Sequence, residues 1–107
     1  MIKKKIAVIG LGYVGLPLAV EFGKKRKIIG FDISKDRIDD LNNGVDKTLE
    51  ISTYELKAAK NLSYTYDINE IKDCEIFIIT VPTPIHNDQK PDLTFLIKAT
   101  ELIGSII

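Results

Sequence analysis

Apolar runs, rather than alternating patterns, occur at Ile6–Ile9 and within residues 27–32 and 75–81. Such runs predict strands covered on both faces by helices, as in a parallel sheet. Residues 62–66 read as another strand, the third in chain order. The intervening segments change to a helical period. Over residues 13–25, Gly15, Ala19 and Gly23 share one side with Leu16 and Phe22 beside them, and Glu21, Lys24 and Lys25 fall opposite. Pro17 lies slightly past the first-turn positions that tolerate proline, so a distorted first turn is expected. Ser34 suits the N-cap of a helix that Gly44 closes, with Ile38 and Leu41 toward the sheet. Ser52 and Glu55 have capping-box spacing before a short helix over residues 53–60, with Leu56 and Ala59 inward. Residues 69–73 form one helical turn in this reading. Asp92 caps a last helix in which Leu93, Leu96, Ile97, Thr100 and Ile103 recur at helical spacing.

The first strand and first helix are joined by Gly10-Leu11-Gly12-Tyr13-Val14-Gly15. A G-x-G-x-x-G string alone carries little weight, but between a buried strand and a helix each glycine has a task. Gly10 permits the tight turn, Gly12 lets backbone approach a pyrophosphate, and Gly15 sits on the close-packed helix face. The helix dipole and its unpaired N–H groups then favour phosphate. Asp32 ends the second strand about 20 residues on, where an acid reaches the adenosine ribose hydroxyls and repels a 2′-phosphate. NAD is therefore expected over NADP. Arg37, a turn further on, either lies over the adenine ribose or is solvated, and its charge keeps NADP open. The plainer alternatives are a structural glycine turn and a helix-capping aspartate. The alternation of elements gives the expected fold class: α/β, a Rossmann-type doubly wound parallel sheet, partial, with about four strands in the order 3-2-1-4. The strand at 75–81 is the most apolar and belongs at the centre of a complete sheet. With no fifth strand it presents an edge, through which self-association is expected.

The 107 residues allow one domain and are too few for a cofactor domain plus a substrate domain. Fifteen basic residues balance fifteen acidic ones, which argues against nucleic acid or an anionic membrane surface as partner. Residues 24–27 read as the solvated, cationic end of a helix. Lys3, Lys4 and Lys5 before an apolar stretch resemble a signal peptide or membrane anchor. Glu21, the glycines, Pro17 and the absence of a small-residue cleavage site argue for a soluble, cytoplasmic protein instead. The single cysteine, Cys74, excludes an internal disulfide and reads as a small buried hydrophobe. His86 with Asp88 is too sparse for a metal site, and no catalytic acid or base stands out. The loop at 82–92 is long for an α/β connection, which points to function.

GLGYVGLP, Asp32, Arg37 and V-P-T-P at residues 81–84 together resemble the N-terminus of the UDP-glucose/GDP-mannose dehydrogenase family. The extended string AVIGLGYVGLPLAVEFGKK, with D-K-T-L-E at 46–50 and K-P-D-L-T at 90–94, is similar to the branch acting on UDP-N-acetylhexosamines. The resemblance covers essentially the whole chain. It implies an enzyme that oxidises a sugar C6 alcohol to a carboxylate in two hydride transfers to NAD, through a thiohemiacetal on a catalytic cysteine. It further implies that Gly10, Gly12, Tyr13, Val14 and Gly15 hold the pyrophosphate region. Asp32 and Arg37 then hold the adenosine ribose, and Val81, Pro82 and Thr83 border the cofactor. By the same resemblance the catalytic residues and the UDP-sugar contacts lie beyond residue 107, Cys74 has no catalytic role, and the complete enzyme is a homo-oligomer. Residues 1–107 are thus expected to be an NAD-binding portion that is inactive alone. Another NAD-dependent dehydrogenase, of the hydroxyacid or glycerol-phosphate kind, and a non-enzymatic NAD-sensing module are the alternatives.

Overall fold

In the computed structural model, residues 5–82, 84 and 90–107 are described. Strands β1 (Ile6–Ile9), β2 (Ile28–Phe31), β3 (Leu62–Thr65) and β4 (Ile76–Ile79) form one parallel sheet in the order β3-β2-β1-β4. Ile6 of β1 aligns with Ile28 of β2 and Ile76 of β4, and Ile28 aligns with Leu62 of β3. Helices α1 (Gly15–Gly23), α2 (Lys35–Asn42), α3 (Thr53–Ala58) and α4 (Thr94–Gly104) connect or follow the strands.

Alternate residues of a strand point to opposite faces, and both faces of this sheet are covered. Ile6, Val8 and Ile28 meet Leu16, Ala19 and Val20 of α1, Ile38 and Leu41 of α2, and Leu56 of α3. Ala7, Ile9 and Phe31 meet Ile71, Cys74, Ala99 and Ile103 on the other side. β1 is buried at every position, which is why its sequence is wholly apolar. The expected α/β class and the 3-2-1-4 order are both observed.

Several boundaries differ from expectation for identifiable reasons. α1 begins at Gly15 rather than near Tyr13, so Pro17 is its third residue, where an N–H has no intrahelical partner anyway. Bonds from Leu16 N–H to the Gly12 carbonyl (3.2 Å) and from Leu18 N–H to the Val14 carbonyl (3.3 Å) run on either side of it. Phe22, expected beside the small-residue stripe, is 38% exposed, and Val20 takes the buried place. α3 stops at Ala58 because Ala59 leaves helical geometry (φ −81°, ψ 67°). Its capping box is half made: the Ser52 hydroxyl accepts the Glu55 N–H at 3.2 Å, but the Glu55 carboxylate faces that hydroxyl rather than the Ser52 N–H. The helical turn expected at 69–73 is a 3-10 turn at Ile68–Ile71, capped by the Asp67 carboxylate through the Asn69 N–H.

The expected capping of α4 is shifted by one residue. Leu93 is its N-cap, while Asp92 accepts the N–H and hydroxyl of Thr94. Ala99 and Ile103 are buried, but Leu93, Leu96 and Ile97 of the helically spaced set remain exposed. β4 lies at the sheet edge within this chain, with Ile76 exposed.

α1 lies close on its neighbours at both ends. A Cβ on Gly23 would come 2.7 Å from Leu62 Cβ, so that residue would have to shift, and would touch Ala59 Cβ at 3.4 Å. Gly23→Ala is expected to cost about 1–3 kcal/mol, the range for overpacking a filled core. A lowered urea midpoint at unchanged slope checks this, and an unchanged midpoint contradicts it.

Candidate functional site

The strand order changes direction between β1 and β4, and the carboxyl ends of such strands form the ligand crevice of open α/β sheets. The glycine loop occupies that position. Gly10 has φ +94°, and a Cβ there would press within 3.2 Å of the Thr80 carbonyl and Val81 Cγ1. Its N–H donates to the Phe31 carbonyl of β2 at 2.8 Å. From the opposite side, Thr80 donates its N–H to the Ile9 carbonyl at 2.8 Å and its hydroxyl to the Gly10 carbonyl at 2.7 Å. Gly15 is tighter still, because a Cβ would lie 1.8 Å from the Gly10 oxygen and 2.3 Å from Thr80 Oγ1. Gly12 is different. Its φ is not left-handed, and no described atom beyond its two chain neighbours lies within 4 Å of where its Cβ would be. Tyr13 and Val14 beside it are 70% and 67% exposed. The fold itself explains glycine at 10 and 15 but gives no reason for it at 12.

Asp32, Arg37 and the loop are joined through Leu11. The Asp32 carboxylate accepts the Leu11 N–H through Oδ2 and the Ser34 N–H through Oδ1, each at 2.9 Å. Arg37 donates to the carbonyl of the same Leu11 from Nε (2.8 Å) and Nη2 (2.5 Å). Its Nη1 pairs with Asp46 Oδ1 at 2.7 Å. Arg37 is thus neither solvated nor unengaged; its side chain is 12% exposed and that of Asp46 is wholly buried. Asp46 also accepts the N–H and hydroxyl of Thr48 and the N–H groups of Glu50 and Ile51. Burial alone would raise the pKa of Asp46. The hydrogen bonds from Thr48, Arg37 and Ile51 outweigh it and bring the carboxyl from 3.8 down to about 2.

The residues named from the sequence therefore gather at one end of the sheet. Gly10, Gly12, Tyr13, Val14 and Gly15 form the loop, and Asp32 and Arg37 grip it at Leu11. Val81 is half-buried against Gly10, and Pro82 follows it, exposed. Thr83, His86 and Asp88, with much of the expected functional loop, lie outside the described residues. Sequence reasoning missed Leu11, Thr80 and Asp46 as parts of the site. Leu11 and Thr80 adjoin motifs and were within reach; Asp46 opens the D-K-T-L-E string, but nothing in that string points to Arg37 as its partner.

Other titratable groups lie elsewhere. Cys74 is in the core between the sheet and α4, where burial pushes its thiol up. Burial pushes the Tyr64 hydroxyl on β3 up to about 12, the Arg37 charge opposing and the Asp46 charge adding to the rise. Lys24 pairs with Glu21 at 2.9 Å on α1. Among the described residues no three His, Cys, Asp or Glu side chains are grouped to hold a metal ion. No described helix is long and apolar enough to cross a membrane.

Residues 4–107 match the UDP-glucose/GDP-mannose dehydrogenase family, NAD binding domain. The chain is 56% identical over 103 residues to a UDP-N-acetyl-D-glucosamine 6-dehydrogenase of Pseudomonas aeruginosa, and 58% identical over the same length to one of Salmonella typhi. Each comparison covers 96% of this chain and 24% of the relative, so the chain spans a quarter of those proteins' length. The solved structure of UDP-D-ManNAc dehydrogenase from Pyrococcus horikoshii superposes with a TM-score of 0.88 at 34% identity, over 96% of this chain and 26% of the other.

The lowered pKa of Asp46 has a definite sign. A carboxyl whose folded pKa lies below its unfolded value stabilises the fold above the unfolded value, and that stability is lost as pH falls through the folded one. The shift from 3.8 to about 2 corresponds to on the order of 2 kcal/mol. The stability gap between the wild type and Asp46→Asn should therefore narrow by roughly that amount between pH 5 and pH 2. Urea titrations across this window check it, and a constant gap contradicts it.

Proposed function

We propose, for a chain that belongs to the UDP-glucose/GDP-mannose dehydrogenase family, that it forms the NAD-binding portion of a nucleotide-sugar 6-dehydrogenase. The enzyme oxidises the C6 alcohol of a UDP-N-acetylhexosamine to the uronate. The observation that carries the cofactor site is the open space at Gly12, between two glycines that the fold itself demands. A backbone left bare where packing does not require it is suited to the approach of a pyrophosphate.

The residues present fit NAD at each part of the site. Gly12, Tyr13 and Val14, with the first-turn N–H groups of α1, would hold the pyrophosphate, favoured by the helix dipole. Asp32 spends one lone pair of each oxygen on Leu11 and Ser34 and keeps acceptor capacity for ribose hydroxyls. Arg37 would border the ribose from its place against Leu11. Val81, Pro82 and Thr83, after the fourth strand, would border the rest of the cofactor. Bound NAD supplies the hydride acceptor; the groups that handle the sugar and its protons come from the remainder of the enzyme. Cys74, buried just before β4 at the amino end of the sheet, is not one of them.

The substrate class rests on the two UDP-N-acetyl-D-glucosamine 6-dehydrogenases, similar across nearly the whole chain. With this substrate the enzyme acts in the cytoplasm, as a homo-oligomer, and supplies a uronate to polysaccharide biosynthesis.

Gly12→Ala separates cofactor binding from folding. It is expected to leave the unfolding free energy from urea titration within about 0.5 kcal/mol of wild type and to weaken NAD binding about tenfold or more. Calorimetric titration with NAD reads the second effect, and unaltered binding would sink the assignment. Residues 1–107 alone are expected to bind NAD without oxidising UDP-N-acetylglucosamine. NADH absorbance appearing with the chain alone contradicts the division of labour.

A further inference from the structure

Dinucleotide folds that accept NADP place an arginine near the acid at the end of the second strand, where it meets the ribose 2′-phosphate. Arg37 has that position. It grips Leu11 by the carbonyl while Asp32 grips the same residue by its N–H, so the guanidinium lies within one residue of the ribose-binding carboxylate. Three of its five N–H donors are, however, already engaged within the protein. Nε and Nη2 are on the Leu11 oxygen, and Nη1 is on Asp46 at 2.7 Å.

Asp46 is held by its own loop. Thr48 N–H (2.9 Å) and hydroxyl (2.6 Å), Glu50 N–H (3.0 Å) and Ile51 N–H (2.9 Å) all close on its carboxylate. To make this turn, Leu49 adopts φ +59°, a left-handed conformation uncommon for a residue other than glycine. A loop that needed only a local cap would be complete with those four bonds and leave Arg37 to solvent. Instead the carboxylate is wholly buried and takes a fifth bond, from a guanidinium nine positions back.

We propose that Asp46 is a specificity-determining residue for the cofactor: by pairing with Arg37 it keeps the guanidinium from turning to a ribose 2′-phosphate, and so excludes NADP. Asp32 repels that phosphate directly, and Asp46 removes the cation that would compensate. The proposal rests on the NAD site proposed above and adds to it a residue that touches no part of the cofactor.

Calorimetric titration of NAD and NADP into the protein tests it with Asp46→Asn, Arg37→Met and the double variant. The wild type should prefer NAD. Asp46→Asn should shrink the NAD-to-NADP affinity ratio about tenfold or more, mainly through tighter NADP, and Arg37→Met added to it should abolish the gain. Arg37→Met alone should weaken both cofactors by the same factor, because the pinned guanidinium does not serve the 2′-phosphate. This variant decides the matter if Asp46→Asn does not fold. An unchanged ratio in Asp46→Asn, or selective loss of NADP binding in Arg37→Met, overturns the proposal and leaves the NAD site standing. A wild type that binds neither cofactor, or prefers NADP, overturns both.

Discussion

The contact on which the site depends is the seating of the first residue of α1 against the carbonyl of Gly10. Only a residue without a Cβ fits, since that atom would fall 1.8 Å from the oxygen. The approach keeps the turn between β1 and α1 to a few residues and aims the start of the helix over the end of the strand. The loop is then tied from both sides, by the Phe31 carbonyl of β2 and by Thr80 after β4. Both ties exist because β1 lies between β2 and β4, and that placement also makes its end the point where the strand order reverses. The position of the loop and its rigidity have one cause. A cofactor held by such a loop loses little to ordering the protein around it.

Leu11 shows how the same residues serve folding and binding together. Its side chain lies over Gly30 of β2, where a Cβ would come within 3.1 Å of both its methyl carbons, and its backbone is clamped by Asp32 and Arg37. Asp32 therefore supports two backbone N–H groups as well as any ribose it receives. Replacing it would orphan both, so lost binding in such a variant confounds the cofactor contact with damage to the turn. Gly12 carries no such double duty, which makes it the more informative position.

β1 and β2 were legible because two layers bury them, and an apolar run of four admits few other arrangements, whereas β3 and β4 at the sheet edges are only partly covered. The start of α1 was less so: Gly12 and Val14 accept helix-like bonds from Leu16 and Leu18 before regular helix begins, blurring the boundary that Pro17 marks. Periodicity grouped Leu93, Leu96, Ile97 and Ile103 on one face of α4, yet a period says which residues share a face and not what covers it. Only the Ala99 and Ile103 end reaches the sheet. Arg37 was left between ribose and solvent because its actual partners, Leu11 and Asp46, lie 26 and 9 positions away. Thr80 and Gly10 are 70 apart. No local pattern carries such pairings. What the pattern did carry was the glycine spacing and the acid after β2, because those features follow from backbone geometry alone.

A chain with no net charge can still discriminate between cofactors that differ by one phosphate, because discrimination depends on how charges are paired. Surface pairs such as Lys24 with Glu21 are screened by solvent and contribute little to any site. The pair of Arg37 and Asp46 is shielded from water, and its members keep their partners only while the loop at 46–51 and the turn at Leu11 stay in register. A buried pair of this kind is weak evidence for stability, since apolar residues of similar shape would stabilise as well. Its value lies in direction: it determines where a guanidinium points. The adenosine end of a dinucleotide site needs that fixed arrangement of charge and backbone more than it needs reactive groups. The described residues match this division, with rigid donors and acceptors at the loop and the one thiol sealed beneath the sheet.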